Sequence, residues 1–538
     1  MIQTKHTTSL ALPAYQGPWT TSEVAHLLRR TLFGPTPDQI MEAVHAGPEA
    51  TVDRLLADRP LPDPPLHYKN HDPDVPVGTT WVDAPYREDI HVKQMADRNR
   101  SLYAWNMALY LEDTLSIREK MVLFWHNHFA IRAIEDPKYL YRYNATIRAQ
   151  ATGNFATLIK QMTVDPALLI FLNGNRNRRE APNENYAREL LELYTVGKGP
   201  QTGPGDYTNY TEADVGAIAR ALTGWHDEGF LTETGGAQVQ ARFSSDHHDP
   251  GDKQLSPRLQ SRLVSNREDT EYLELLDILL EQEATATHLC SKLYRWLVDD
   301  RVDEVMLREV IRPLGALLRH EGYELKPVLR NILLSAHFYR ADYRGTIIKN
   351  PLDLVASTVN PFQDGEPLAS DQRYDRWYRI NELVRTLQMD PYEVPQVAGW
   401  DAYYRAPLYN RHWINAATLP VRMATIQTYL DEGFPAFEGN GPRIRPACAK
   451  WIIRHDHPGE AVALTTSLTQ WLLPVPLAGD EILELSKSLA PVNFSGSWQD
   501  LILAYQEDPH ASGLEVEVDA CMKRLIKRIF FHPSFQLS

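Results

Sequence analysis

Apolar residues recur at helical spacing along most of the chain. Val24, Leu27, Leu28 and Leu32 form the first stripe. Thr20 and Glu23 ahead of it fit a capping box, in which hydroxyl and carboxylate satisfy each other's backbone donors. Gly34-Pro35 ends this helix, and Thr36, Pro37 and Gln39 open a second. Arg29 and Arg30 fall in the last turn of the first, where cations complement the helix dipole or recognise a ligand or carboxylate. Residues 86–112 carry Met95, Leu102, Trp105, Met107, Leu109 and Leu111, and Ser116 with Glu119 reads as another capped start. From Met121 to Trp125 every side is apolar, which predicts a helix buried all round. Further helices are predicted over 137–151 and 154–164, and over a short stretch from Asp165-Pro166 to Leu172. Others follow at 211–222, 272–280, 285–297, 302–318, 326–335, two or three places between 350 and 440, 464–473 and 514–529. Only residues 227–245 alternate, and Gly235-Gly236 suggests a hairpin there. The expected fold is mainly α: a multi-helical, bundle-like assembly with a small β-hairpin and long loops.

Between Pro60 and Pro85 proline recurs at 60, 62, 64, 65, 73, 76 and 85, which neither a helix nor a central strand tolerates. This stretch is expected to be an irregular arm laid over the body or over a second copy of the chain, giving a homo-oligomer. A length of 538 residues exceeds one ordinary core. The expected division is 1–59 as capped helices, 60–85 as the arm, 86–260 as the site-bearing region, and 261–345 and 346–538 as helical regions. A net charge of -15 argues against nucleic acid as a partner. Cys290, Cys448 and Cys521 lie far apart, with no paired spacing for a cysteine zinc site or a disulfide framework. No run of about 18 apolar residues marks a transmembrane helix. Met1 to Trp19 makes a poor signal peptide, so the chain is expected to be cytoplasmic, with the mature part of an exported protein as the alternative.

Against this background, residues 183–197 stand apart. Asn183 opens a short helix, Gly197 closes it, and Leu190, Leu193 and Tyr194 supply a packing stripe. Glu184, Arg188, Glu189 and Glu192 crowd the same element, more charge than packing needs. Just upstream, Arg176, Arg178 and Arg179 make a local basic loop leading to the helix start, an attractive place for an anion. His126 and His128 lie in the all-apolar helix; two residues apart, they point about 200° from each other, so a regular helix does not aim both at one metal. Residues 245–253, Ser-Asp-His-His-Asp-Pro-Gly-Asp-Lys, are rich in ligand-type groups.

Taken in order, several segments resemble a large bacterial family catalogued as domain of unknown function 1800. They are His26-Leu-Leu-Arg-Arg with Phe33-Gly34; Arg118-Glu-Lys with Phe124-Trp-His-Asn-His-Phe129; Pro182-Asn-Glu-Asn with Ala187-Arg-Glu-Leu; Tyr210-Thr-Glu with Asp214-Val and Ala219 to Trp225; and His248-Asp249 with Gly251 and Lys253. Gly399-Trp400 and Trp413 to Leu419 match its later pattern. The resemblance runs from about residue 22 to about 425. It implies no settled activity, and it implies export for many members.

Three readings of the chemistry stand open. In the first, His126, His128, Glu189, His248 and Asp249 hold a divalent metal (iron, zinc or manganese) for hydrolytic or oxidative chemistry. In the second no metal is used. His126 or His128 is a general base oriented by Glu189 or Asp249, with Glu184 and Arg188 beside it, while Arg176, Arg178, Arg179, Asn183 and Lys253 hold an anionic substrate. In the third the same residues form a satisfied polar network in a binding or assembly scaffold. The expected ligand is a small molecule, a sugar or a peptide.

Overall fold

The computed structural model describes residues 11–69, 72–111, 114–233, 238–363, 368–435, 443–452 and 455–538. Helices carry the fold, and each sheet among these residues has only two strands, as the stripes predict. The first helices are α1 (Thr21–Thr31), α2 (Pro37–Ala46) and α3 (Pro48–Leu55). The capping box of α1 forms: the Thr20 hydroxyl accepts from Ser22 N–H, and Glu23 accepts from Thr20 N–H at 3.1 Å. Gly34 then takes φ +62°, and a Cβ there would lie 2.3 Å from the Ala356 carbonyl oxygen. That close approach seats the α1–α2 turn on the helix Pro351–Val359.

The proline-rich arm is irregular and folds onto its own chain, along α4 (His91–Leu111). Trp81 Nε1 donates to Ser101 Oγ at 3.0 Å, and Trp105 Nε1 donates to the Asp63 carbonyl at 2.8 Å. Arg98 joins Asp72 at 2.8 Å and also donates to the carbonyls of Ala84 and Pro85. Prolines leave those carbonyls without a ladder partner, and one buried guanidinium collects them.

At the centre lies α5 (Arg118–His128), buried from Met121 to His126. Its start corrects the sequence reading. Ser116 Oγ accepts from Arg118 N–H at 3.3 Å, but Glu119 does not close a capping box. It turns inward to Arg148 of α6 (Pro137–Ala149) at 2.8 Å. α7 (Phe155–Thr163) and α8 (Pro166–Phe171) follow, then α9 (Glu184–Glu189), α10 (Glu212–Ala221), α11 (Glu271–Glu281) and α12 (Glu283–Leu297). The hairpin pairs Trp225–Glu228 with Gln240–Phe243, Trp225 opposite Phe243; Gly235 and Gly236 lie outside the described residues. So do residues 1–10, the first part of the Met1 to Trp19 start.

The C-terminal half closes over α5. A Cβ on Gly399 (φ +104°) would fall 2.3 Å from Asn127 Oδ1, and that oxygen accepts from Trp400 N–H at 2.9 Å. Buried apolar side chains run as one cluster from Leu12 to Phe535. No helix among the described residues is long and apolar enough to cross a membrane.

Candidate active site

The charged stretch folds as α9, capped by Asn183 Oδ1 accepting from Tyr186 N–H at 3.2 Å, and then widens into a π turn, Leu190–Tyr194. Such turns free backbone carbonyls and recur at functional sites. The carboxylates are held apart by cations of the chain itself. Arg188 forks onto Glu212 at 2.8 and 2.6 Å, and Lys198 lies 3.2 Å from Glu192, which also accepts from the Tyr210 hydroxyl. Glu184 is exposed. The Glu189 carboxyl is raised above its usual range by burial and by the charge of Glu192.

The two histidines of α5 face different surroundings. His126 Nδ1 meets the Tyr143 hydroxyl at 2.9 Å, and Nε2 accepts from Tyr392 N–H at 3.0 Å. Burial holds its pKa down to about 3. Both nitrogens are occupied, so this imidazole is a neutral packing group. His128 packs edge-on to Phe129 and tilted against Tyr194, the far end of the π turn, and its Nδ1 lies 3.1 Å from Lys292 Nζ. His128 Nε2 and the Tyr194 hydroxyl are buried without a hydrogen-bond partner.

The loop around residue 248 is held elsewhere. His248 Nε2 lies 3.1 Å from Glu271, and its Nδ1 lies 2.9 Å from the Thr223 carbonyl. Lys253 reaches the same Glu271 at 2.6 Å, and Arg220 forks onto Asp249 at 2.7 and 3.0 Å. His247 gives its carbonyl to Arg179 N–H. Arg176, Arg178 and Arg179 are exposed, with Arg179 paired to Glu180. Among the described residues no group of three or more His, Cys, Asp or Glu is arranged to hold a metal. His126, His128, His248 and Asp249 each engage the separate partners described above.

Lys292 was not legible as a candidate. It is a half-buried residue of α12, donating to the Leu193 carbonyl freed by the π turn at 2.7 Å and facing His128. No carboxylate pairs with it among the described residues. Burial, then the charge of Arg295, lowers its pKa to about 7. Lysine-selective 15N NMR is expected to show one ammonium titrating near pH 7 and missing from Lys292→Met. A spectrum with every lysine above pH 9 would contradict this.

A second perturbed group lies in a cleft. Between α6, α7, α8 and the hairpin opens a space of about 680 Å3, lined by Arg142, Lys160, Gln161, Asp165, Trp225, Gln240 and Tyr272 among others. Asp165 caps α8, its Oδ1 accepting from Ala167 and Leu168 N–H at 3.0 and 3.2 Å. Burial pushes this carboxyl up to about 7, against the Leu168 N–H, the Arg142 charge and the Ala167 N–H. Lys160 pairs with Asp277 at 2.5 Å on the rim, whereas Arg142 is exposed and in no ion pair among the described residues. Trp225 and Tyr272 meet edge to face at 5.5 Å, leaving a half-buried aromatic wall. In sequence Asp165-Pro166 reads only as a helix start; nothing in its spacing signals burial.

The model of the family described as "Protein of unknown function (DUF1800)" matches residues 26–537. The chain belongs to the DUF1800 family. No curated protein and no solved structure matches it. Some of the segments that carried the DUF1800 resemblance touch one another: Trp400 packs edge-on to His126 at 5.7 Å, Arg188 binds Glu212, and the Thr223 carbonyl lies 2.9 Å from His248 Nδ1. The DUF1800 match also extends beyond residue 425 into the C-terminal helices.

Proposed function

We propose that the chain is a metal-free acid–base enzyme acting in the cleft of Asp165. The observation that carries this reading is a buried carboxyl on the wall of an open cleft, which burial pushes up to about 7. At neutral pH such a group is divided between its acid and base forms, so it can give and take a proton within one cycle. Arg142 and Lys160 supply positive charge for an anionic group, and Trp225 and Tyr272 supply a face for a ring or apolar body. The substrate class is a small anion bearing a ring. The proton carrier is thus Asp165 rather than His126, whose nitrogens are both engaged.

Turnover of a panel of ring-bearing carboxylates and phosphate esters tests the idea. Activity is expected to show a pH limb near 7, to disappear in Asp165→Asn, and to persist in Arg142→Met with a raised KM. Activity that survives Asp165→Asn with an unchanged pH profile would sink it. The scaffold reading draws support from the closed network of His248, Glu271 and Lys253. It gains ground if no compound is turned over and Asp165→Asn alters stability alone.

A further inference from the structure

The C-terminal turn of α1 points into a second feature, remote in the chain from α7 and α8. Arg29 and Arg30 are 6% and 2% exposed. Lys349 and Arg422, which approach from the segment before Pro351–Val359 and from the helix Thr418–Asp431, are 2% and 1% exposed. None of the four forms an ion pair among the described residues. Their contacts are mostly to uncharged oxygens. Arg29 donates to the Trp471 carbonyl at 2.9 Å, and Arg30 to the Tyr343 carbonyl at 2.8 Å. Arg422 donates to the Lys349 carbonyl at 2.9 Å and to Gln536 at 2.7 Å. Lys349 Nζ lies over the Phe535 ring, 3.9 Å from its centre.

Nearby carboxylates are already engaged. Asp353 pairs with the buried Lys120, and Asp299 pairs with Arg301 at 2.8 Å. Meanwhile Arg29 Nε, Arg30 Nε and Nη1, and Arg422 Nη1 are buried with no acceptor at all. Asp353 acts on Arg30, Lys349 and Arg422, and Asp299 on Arg30, but neither makes an ion pair with them among the described residues. Buried cations that outnumber the carboxylates they share are costly, and each unfilled N–H adds a desolvation penalty. One guest relieves both costs: a compact oxyanion with more than one negative charge and acceptors in several directions. A single carboxylate has too little charge and its oxygens lie in one plane. A phosphate group has both properties, and guanidinium forks match it.

We propose that the chain binds a phosphate group, free or as a monoester, between α1, the Lys349 segment and the helix Thr418–Asp431, with Arg29, Arg30, Lys349 and Arg422 as its donors. The field of these cations on one another supports the assignment. Lys349 is driven well below its usual range by burial and then by Arg29, with Asp353 opposing, and Arg422 and Lys120 adding to the fall. A bound dianion reverses that repulsion.

The test uses the full chain, purified without phosphate. Inorganic phosphate and phenyl phosphate are titrated separately against thermal unfolding, with chloride matched for ionic strength. Acid-denatured protein is assayed for released phosphate. A saturable rise in Tm at about 1 mM phosphate or below, where general salt stabilisation is small, or about one phosphate released per chain, is expected. A response to phenyl phosphate that Lys349→Met weakens identifies a monoester site here rather than binding in the Asp165 cleft; a response to inorganic phosphate alone identifies the free ion. Lys349→Met removes one cation while leaving every hydrogen bond described above in place, so it is expected to fold and to bind phosphate roughly tenfold more weakly. The proposal is overturned if the purified chain neither carries phosphate nor shows a saturable shift, or if Lys349→Met binds as the parent does.

Discussion

Arg148→Met is expected to cost roughly 3–5 kcal/mol of stability, because it strands a buried carboxylate. Arg148 and Glu119 are each 1% exposed at their side chains and meet through three hydrogen bonds of 2.8–3.2 Å. Arg148 also donates to Asn144 and, at 3.2 Å, to Asn106, and its guanidinium lies 4.8 Å from the centre of the Trp105 ring. Methionine fills the stem but none of these donors. Glu119 then keeps only Arg118 Nε, at 3.3 Å, and is left largely uncompensated inside the α4–α5–α6 core, or must take a proton. Replacing both partners, as Glu119→Met with Arg148→Met, removes the stranded charge and is expected to recover most of the loss. Urea unfolding at pH 7 measures both. A single variant that loses less than about 1 kcal/mol would mean that water reaches Glu119.

Asp165→Asn is expected to act in the opposite direction at high pH. Above pH 7 the carboxylate is charged in both the native and the unfolded chain, and the native state carries the cost of burying it. The gap between 3.8 and about 7 corresponds to on the order of 4 kcal/mol. As pH falls through 7 the native carboxyl takes up a proton, while the unfolded one does not until about 3.8. The penalty is therefore complete above 7, shrinks between 7 and 4, and vanishes below 3.8. Asparagine keeps an oxygen for the Ala167 and Leu168 N–H groups and is itself a good cap. The variant should gain about 2–4 kcal/mol at pH 8 and nothing near pH 4, read by guanidinium unfolding at both pH values. If it is weaker at pH 8, the hydrogen bonds outweigh the burial and Asp165 is an ordinary ionised cap. A gain in stability joined to a loss of turnover is the pattern of a residue kept for function at structural cost.

The helices were largely legible because local chemistry and burial agree there. Thr20 with Glu23 and Thr211 with Asp214 cap where their spacing says, and Met121 to Trp125 is buried as an all-apolar run must be. Glu119 misled because a box needs only a local partner, whereas a buried arginine from another helix binds it more strongly. In the stretch 183–197 the charged α9 is visible in the sequence but its π turn is not, since a one-residue widening leaves the apolar stripe intact. Two missed cations did leave a signal. Lys292 falls in register with Leu289 and Trp296, and Arg422 with Thr418, Thr425 and Tyr429, all buried positions. A basic residue on a buried stripe is either snorkelling or bound to something. Asp165 left none, because the segments that share its cleft, among them Arg142, Trp225 and Tyr272, are distant from it in sequence.

The seat of Gly399 and Trp400 on Asn127 bears on how the chain is made. His126 and its partner Tyr392 are 266 residues apart. At about 5–20 residues per second, a ribosome needs roughly 13–53 s to supply the second after the first. Throughout that interval α5, apolar on every side, has emerged without the segment that covers it. The nascent half-protein is thus an aggregation-prone species that lives far longer than helix formation takes. Its yield in cells is expected to depend on a holdase or on the speed of translation.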